Sequence, residues 1–301
     1  MSPLLLSIVA ILLIDALSGI GRTSEMYRMG MNYDQGQPSP VEKLLNDVMN
    51  IVMFDFPLGP KCLKVAHVIN IQKVGMPFFL AYMAYSHGND SEAMWSYGIM
   101  HGSYGLLWFL KHCAFPDSTF EQDQTIGSAI FLLVLLGAYC VPAYLLSTGH
   151  CYHFDIELQQ WEEPSKIRRY GSIFMYILGI CLTLASDCQK TMTLKFVNKR
   201  PFLISSGLFA YTRNPNYLGE ILLYSSFATL TNHWLSYLTV LVFPCLTIFP
   251  ARMWQKEISL RKKPGWAEYK SRSNVLVPKV LGLGDLPLIS LWITLLVYQA
   301  L

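Results

Sequence analysis

Apolar runs separated by short polar segments recur along the whole chain, beginning at Pro3–Ile20 and ending at Pro287–Leu301. A hydrocarbon layer about 30 Å thick takes roughly 20 helical residues at about 1.5 Å each. Thr125–Ser147, Tyr170–Ser186 and Leu235–Trp254 match that length most clearly. Pro3–Ile20, Val65–Tyr85, Ala93–Lys111, Tyr217–Leu230 and Pro287–Leu301 are shorter or more polar versions of the same pattern. The reading is an all-α, polytopic transmembrane helical bundle of about eight spans. Between the runs, Gly21–Lys43 is rich in Gly, Pro and Asn and reads as a loop, and Leu44–Phe56 reads as a short interfacial helix. No internal repeat or low-complexity segment appears. The chain reads as one integral membrane domain with an N-terminal half over 1–169 and a C-terminal half over 170–301.

Charge sharpens this picture. Alternating the spans across a bilayer puts Arg22, Arg28, Lys43, Lys61, Lys64, Lys190, Lys195, Lys199, Arg200, Arg213 and the Arg252–Lys279 cluster on one side. The other side receives Lys166, Arg168 and Arg169. Basic residues gather on the cytosolic face of membrane proteins, or on the matrix face in a mitochondrion, so the first side is assigned there. Composition agrees: 52% of the residues are hydrophobic and 14% charged, against about a quarter charged in soluble domains. A net charge of +3 gives no case for nucleic acid. Seven scattered cysteines without a Cys-x-x-Cys pair do not form a secreted disulfide framework. Pro3–Ile20 lacks a basic leader and is read as a membrane helix carrying Asp15, not as a signal peptide.

The most informative stretch is Gly207-Leu-Phe-Ala-Tyr-Thr-Arg-Asn-Pro-Asn-Tyr-Leu-Gly-Glu220. Asn214 is a good N-cap and Pro215 suits the first helical position, so a helix starts here. Its free N–H groups and positive dipole end make a seat for phosphate or carboxylate, with Arg213 just before it. Asn216 and Glu220, four apart, share one helical face. Glu220 then enters Ile221-Leu-Leu223; a carboxyl at bilayer depth faces a cavity or a partner, which makes it either a functional group or half of a structural ion pair. Upstream, Ser186-Asp-Cys-Gln-Lys190 closes the Tyr170–Ser186 span, and downstream come Arg252-Met-Trp-Gln-Lys-Glu257, Trp266-Ala-Glu-Tyr269 and Val277-Pro278. Each of these, alone, also fits an ordinary solvated interface. His150-Cys-Tyr-His153 with Asp155 is read as non-metal, because i, i+3 spacing in a loop is a weak ligand pattern. His67, Gln72 and Lys73 lie within the Val65–Tyr85 run and either line a cavity or meet a partner subunit.

In order and spacing, Asp187 to Lys190, the Gly207–Glu220 motif, Arg252, Trp266-x-x-Tyr269 and the closing Val-Pro resemble the steroid 5-alpha-reductase C-terminal domain family. The likeness covers roughly 170–279, and the Asn-Tyr-Leu-Gly signature is shared with sterol reductases. It implies a membrane-embedded, NADPH-dependent reductase of a carbon–carbon double bond in a lipid, an enone or a polyprenoid. By that resemblance Asn216 touches the nicotinamide end of NADPH, Glu220 hydrogen-bonds the substrate carbonyl, and Asp187, Lys195 and Arg252 hold ribose or phosphates, with Lys190, Arg213 and Asn214 beside them. A carboxyl donates a hydrogen bond only when protonated, the state a low-dielectric site favours. The cofactor carries the hydride chemistry while the protein supplies position and electrostatics.

Two departures keep other readings open. Family members add a glutamate and a tyrosine from N-terminal helices; the glutamate has no counterpart here, and Tyr104 in His101-Gly-Ser-Tyr104 is the tyrosine candidate, or simply aromatic packing. The N-terminal half is therefore divergent. The Arg-Asn-Pro-Asn-Tyr wording is also similar to the Arg-His-Pro-x-Tyr motif of isoprenylcysteine carboxyl methyltransferases, which implies S-adenosylmethionine in place of NADPH. A third reading is a non-catalytic subunit of a larger membrane assembly, such as a respiratory complex, holding lipid or nucleotide. Family resemblance implies the endoplasmic reticulum; the subunit reading implies the mitochondrial inner membrane.

Overall fold

The computed structural model describes residues 40–57, 59–153, 156–160, 163–197, 201–246 and 248–278. The expected spans Pro3–Ile20 and Pro287–Leu301, the residue Asp15 and most of the Gly21–Lys43 loop lie outside them. In chain order the elements are α1 (Pro40–Asn50), a π-turn (Ile51–Asp55), β1 (Lys61–Lys64), α2 (Val65–His87), α3 (Glu92–Ala114), β2 (Asp123–Thr125), α4 (Ile126–Gly137), a 3-10 turn (Ala138–Cys140) and α5 (Val141–Thr148). They continue as β3 (His150–His153), β4 (Ile156–Gln160), α6 (Lys166–Phe196), α7 (Pro215–Thr231), α8 (Trp234–Ser236), a second π-turn (Tyr237–Val242), α9 (Phe243–Leu246), α10 (Ile248–Arg261) and α11 (Trp266–Arg272).

The protein is mostly helical, as expected. Among the described residues the strands form two antiparallel pairs, β1 with β2 and β3 with β4, so the His150–His153 stretch expected as loop is a strand. Among the described residues two helical stretches, Ile126–Thr148 and Lys166–Phe196, are long and apolar enough to cross a membrane. The helices α2 and α3 are each 23 residues long, and polar residues such as Asn70, Gln72 and Lys73 dilute the first of them. Tyr170–Ser186 lies within a longer helix, because Asp187–Phe196 contains no Gly or Pro to stop α6. The Leu235–Trp254 run is not one uniform α-helix: its described residues pass from α8 through the second π-turn into α9 and part of α10. Pro244 accounts for the π-turn before it, since proline has no N–H for the helical ladder and its ring crowds the preceding turn.

Two compact units account for the chain. The first comprises Met1–Asn46, Cys181–Ile221 and Val242–Leu301; the second comprises Asp47–Ile180 and Leu222–Leu241. In the second unit α2 ends at Gly88, whose φ of +60° lets its N–H reach the carbonyls of Ala84 and Tyr85. Ser91 then caps α3 by accepting from the Met94 N–H. The two helices touch backbone to backbone at Gly105, which lies so close to the Lys73 carbonyl that a Cβ has no room. Around this contact Tyr97, His101, Tyr104, Tyr139, Tyr224 and Phe227 form a buried aromatic cluster, with the His101 ring stacked on Phe227 at 4.5 Å.

The outer faces of the second unit are apolar. Ile130, Leu133 and Val134 of α4, Phe174 and Ile177 of α6, and Phe78 and Tyr82 of α2 all point away from the interior. Such a surface suits a surrounding of hydrocarbon better than water.

Candidate functional site

The Gly207–Glu220 motif lies in the first unit and is shaped from α6. Gln189 donates through Nε2 to the Ser206 carbonyl at 2.8 Å and accepts the Leu208 N–H at Oε1 at 3.0 Å. Its amide thus spans Gly207, which has φ +59° and whose absent Cβ would sit 2.5 Å from Gln189 Nε2. The positive φ favours glycine here, and a Cβ would also displace the Gln189 amide from its two hydrogen bonds. Past this turn the chain runs beside Ser273–Leu276: Arg213 N–H donates to Asn274 O at 2.9 Å, Asn274 N–H to Tyr211 O at 3.1 Å, and Thr212 Oγ1 to Leu276 O at 2.7 Å. Tyr269 of α11 ties in from beneath, its hydroxyl donating to Phe209 O at 2.8 Å.

Helix α7 begins as expected after Asn214, whose carbonyl accepts the Leu218 N–H at 3.1 Å. The Asn214 side chain faces elsewhere: Nδ2 donates to Val275 O at 2.8 Å. Its Oδ1, like that of Asn216, is buried with no hydrogen-bond partner among the described residues. Arg213 is only 1% exposed and its guanidinium is committed, with Nε on Glu257 Oε1 at 2.7 Å and Nη1 on the Ser273 carbonyl. The cation expected to stand at the helix end is therefore a strut that joins the loop to α10 and the segment after α11.

A different cation occupies the approach to α7. Lys256, one residue before Glu257, donates from Nζ to the Arg213 carbonyl at 2.6 Å and lies 5.1 Å from the centre of the Phe209 ring. Burial, and then the charge of Lys190, pull its ammonium down to about 7, while Asp187 and Glu257 act in the opposite direction. The site thus brings Asp187, Lys190, Arg213, Asn214 and Lys256 together. Arg252 lies one turn earlier on α10, its Nη1 donating to Gln255 Oε1 at 3.1 Å. Lys195 is exposed near the end of α6. Asn216 and Glu220 follow on α7, both half-buried, and Tyr217 between them packs on Phe249 with ring centres 5.3 Å apart.

The match of a family model to residues 117–273 covers this arrangement as far as Ser273. The chain belongs to the DUF1295 family. That family is described as a protein of unknown function. This DUF1295 chain is also 25% identical over 133 residues to mouse 3-oxo-5-alpha-steroid 4-dehydrogenase 2, a stretch covering 44% of the chain and 50% of the mouse protein. It thus spans about half the length of that curated relative. The resemblance to steroid 5-alpha-reductases read from the motifs is borne out. No solved structure matches.

Tyr104 belongs to the second unit and is buried there. Its hydroxyl lies 3.2 Å from that of Tyr224, and the Lys73 ammonium sits 4.2 Å from the centre of its ring. The sequence groups Gln189 with Asp187 and Lys190 as contacts for a ribose or a phosphate, not as the brace of the Gly207 turn, and it gives Lys256 and Glu257 no role of their own. The last two were visible inside the Arg252–Glu257 stretch, but only the fold shows that one bears on the Arg213 backbone and the other on its guanidinium.

Proposed function

We propose that this protein is a membrane-embedded, NADPH-dependent reductase that saturates a carbon–carbon double bond conjugated to a carbonyl in a lipid. The observation that carries the reading is the pairing, on the first turns of one helix, of a cationic approach and a carboxyl. Lys256 and Lys190 stand at the head of α7, and Asn216 and Glu220 follow along it. The likeness to the mouse 3-oxo-5-alpha-steroid 4-dehydrogenase supports the same chemistry.

The residues present fit a dinucleotide. Phosphates suit the first N–H groups of α7 with Lys190, Lys256 and Arg252; Lys195 lies further along α6 for an outer phosphate, and Asp187 suits a ribose hydroxyl. The buried, partnerless Oδ1 of Asn216 matches the N–H donors of a carboxamide. NADPH supplies hydride to the β-carbon of the conjugated system. Glu220 donates a hydrogen bond to the substrate oxygen, which gains negative charge as the β-carbon is reduced. Arg213 holds the loop and Asn214 the start of α7. Tyr104 is proposed separately as a hydroxyl donor of the second unit. The outward apolar faces of α2, α4 and α6 support residence in a membrane, with the endoplasmic reticulum as the proposed location and surrounding lipid as partner.

Calorimetry on the full chain in lipid nanodiscs, with NADPH in one cell and S-adenosylmethionine in another, tests the cofactor. Binding of NADPH alone is expected. Preference for S-adenosylmethionine makes the protein a methyltransferase, and binding of neither leaves the non-catalytic membrane subunit. NADPH oxidation with a 3-oxo-4-ene steroid and with geranylgeranial then tests the chemistry. Glu220→Leu, which has no donor, should abolish turnover and leave NADPH affinity within a factor of about two; unchanged turnover rejects the role of Glu220.

A further inference from the structure

Lys256 is placed unlike the other cations of the first unit. Its ammonium has three N–H donors, and the Arg213 carbonyl, 2.6 Å away, takes one of them. The face of Phe209 covers another side at 5.1 Å. Arg213, the residue whose carbonyl it holds, commits its own guanidinium to Glu257, so the carboxylate nearest to Lys256 in sequence is already paired. Asp187 and Lys190 act on it from α6, Glu257 from its own helix α10 and Lys263 from the turn that follows that helix. The carbonyl it anchors belongs to the residue immediately before Asn214, which is to say to the head of α7. An anion seated on the first N–H groups of that helix lies next to this ammonium.

We propose that Lys256 is a proton-coupled phosphate ligand, taking up a proton as a phosphorylated ligand enters the seat at the head of α7 and releasing it as the ligand leaves. The inference rests on the reading that this seat holds a phosphorylated cofactor, and it adds a residue and a pH dependence to that reading. The cause is electrostatic. In the free protein burial and Lys190 disfavour the charged form, leaving the group balanced near pH 7. A phosphate brings negative charge to the same point, favours the ammonium and raises its pKa toward or beyond the ordinary lysine value of about 10.4. The free lysine is already protonated about a unit below 7, so binding there takes up little. Above 7 the free lysine is neutral and binding must draw a proton from solvent. Affinity therefore falls by up to about tenfold per pH unit on the alkaline side.

The test uses the full chain in nanodiscs and NADP+ as the probe. Titration calorimetry in two buffers of different ionisation enthalpy, at pH 6 and pH 8, counts the protons exchanged. About one proton taken up at pH 8 and markedly less at pH 6 is expected. Lys256→Arg, which stays charged, should bind at pH 8 at least as tightly as the unmodified chain while losing the uptake. Lys256→Gln should weaken binding roughly tenfold at pH 7 and lose it too. The arginine variant also subtracts any titration of the ligand's own phosphate. Binding of NADP+ without proton uptake at pH 8, or uptake that survives in Lys256→Arg, overturns the inference and leaves the reductase reading standing. Should NADP+ fail to bind, the reductase reading falls, and inorganic pyrophosphate replaces it as the probe: Lys256-dependent uptake with pyrophosphate sustains the inference, and its absence ends it.

Discussion

Arg213 and Glu257, 44 residues apart in sequence, form an ion pair of 2.7 Å with both side chains withdrawn from solvent. Removing one partner of such a pair leaves the other charge buried and uncompensated, which costs about 3–5 kcal/mol. Glu257→Gln should therefore lower the thermal midpoint of the solubilised protein sharply. Arg213→Lys should do nearly as much, because an ammonium does not reproduce the fork that reaches Glu257 and Ser273 together. A shift of a degree or less for both variants would show that the pair contributes nothing to the fold.

The Gln189 amide and Gly207 make a second test. Gly207→Ala places a side chain at φ +59° against Gln189, with a backbone cost of about 1–2 kcal/mol before any clash. Gln189→Ala removes the clash and also both hydrogen bonds to the loop. The double variant should be less destabilised than the sum of the two single ones; simple additivity in thermal denaturation would mean that the two positions do not touch.

Tyr104 and Tyr224 share a hydroxyl contact of 3.2 Å within the second unit. Converting either to Phe removes this contact from the other hydroxyl within a buried site, and converting both removes the polar pair altogether. Single variants should lose about 1–2 kcal/mol and the double variant less than their sum. If Tyr104 serves the reaction as well, Tyr104→Phe lowers the rate of NADPH oxidation far more than Tyr224→Phe at equal stability.

His233 lies in the turn between α7 and α8, where its Nδ1 accepts the Leu235 N–H at 3.1 Å. Burial holds its imidazole below the ordinary histidine value. The unfolded chain therefore gains the proton first. The stabilisation is complete above about pH 6.5 and is lost as the pH falls through the lower folded value. His233→Asn keeps an N-cap acceptor without the titration. Its thermal midpoint should vary less between pH 7 and pH 5 than that of the unmodified chain, and an identical acid limb would reject the assignment.

Much of the site was legible along the chain. Asn214-Pro215 marks a helix start, and α7 begins there; the Asn216–Glu220 spacing needs nothing but helical periodicity. Partnerships across the sequence were not legible. Arg213 reads locally as an anion ligand because it precedes a helix N-terminus, and only the return of Glu257 and Ser273 to the same point turns it into a strut. Lys256 reads as one more cation of a solvated face until burial and the Arg213 carbonyl set it apart. Leu235–Trp254 reads as one apolar run because hydropathy does not register what Pro244 does to a hydrogen-bond ladder.

Where Gly105 meets the Lys73 carbonyl, helices α2 and α3 are in register to within an atom's width. A slide of one helical turn along their common axis would bring Trp108 or Phe109 toward that oxygen in one direction and His101 in the other, and none of these side chains fits in a space too small for a methyl group. The hairpin is ratcheted at this point. Any motion of the second unit that displaces α2 must carry α3 with it as one lever, and with α3 go Tyr104, Trp108 and the lysine held over their rings.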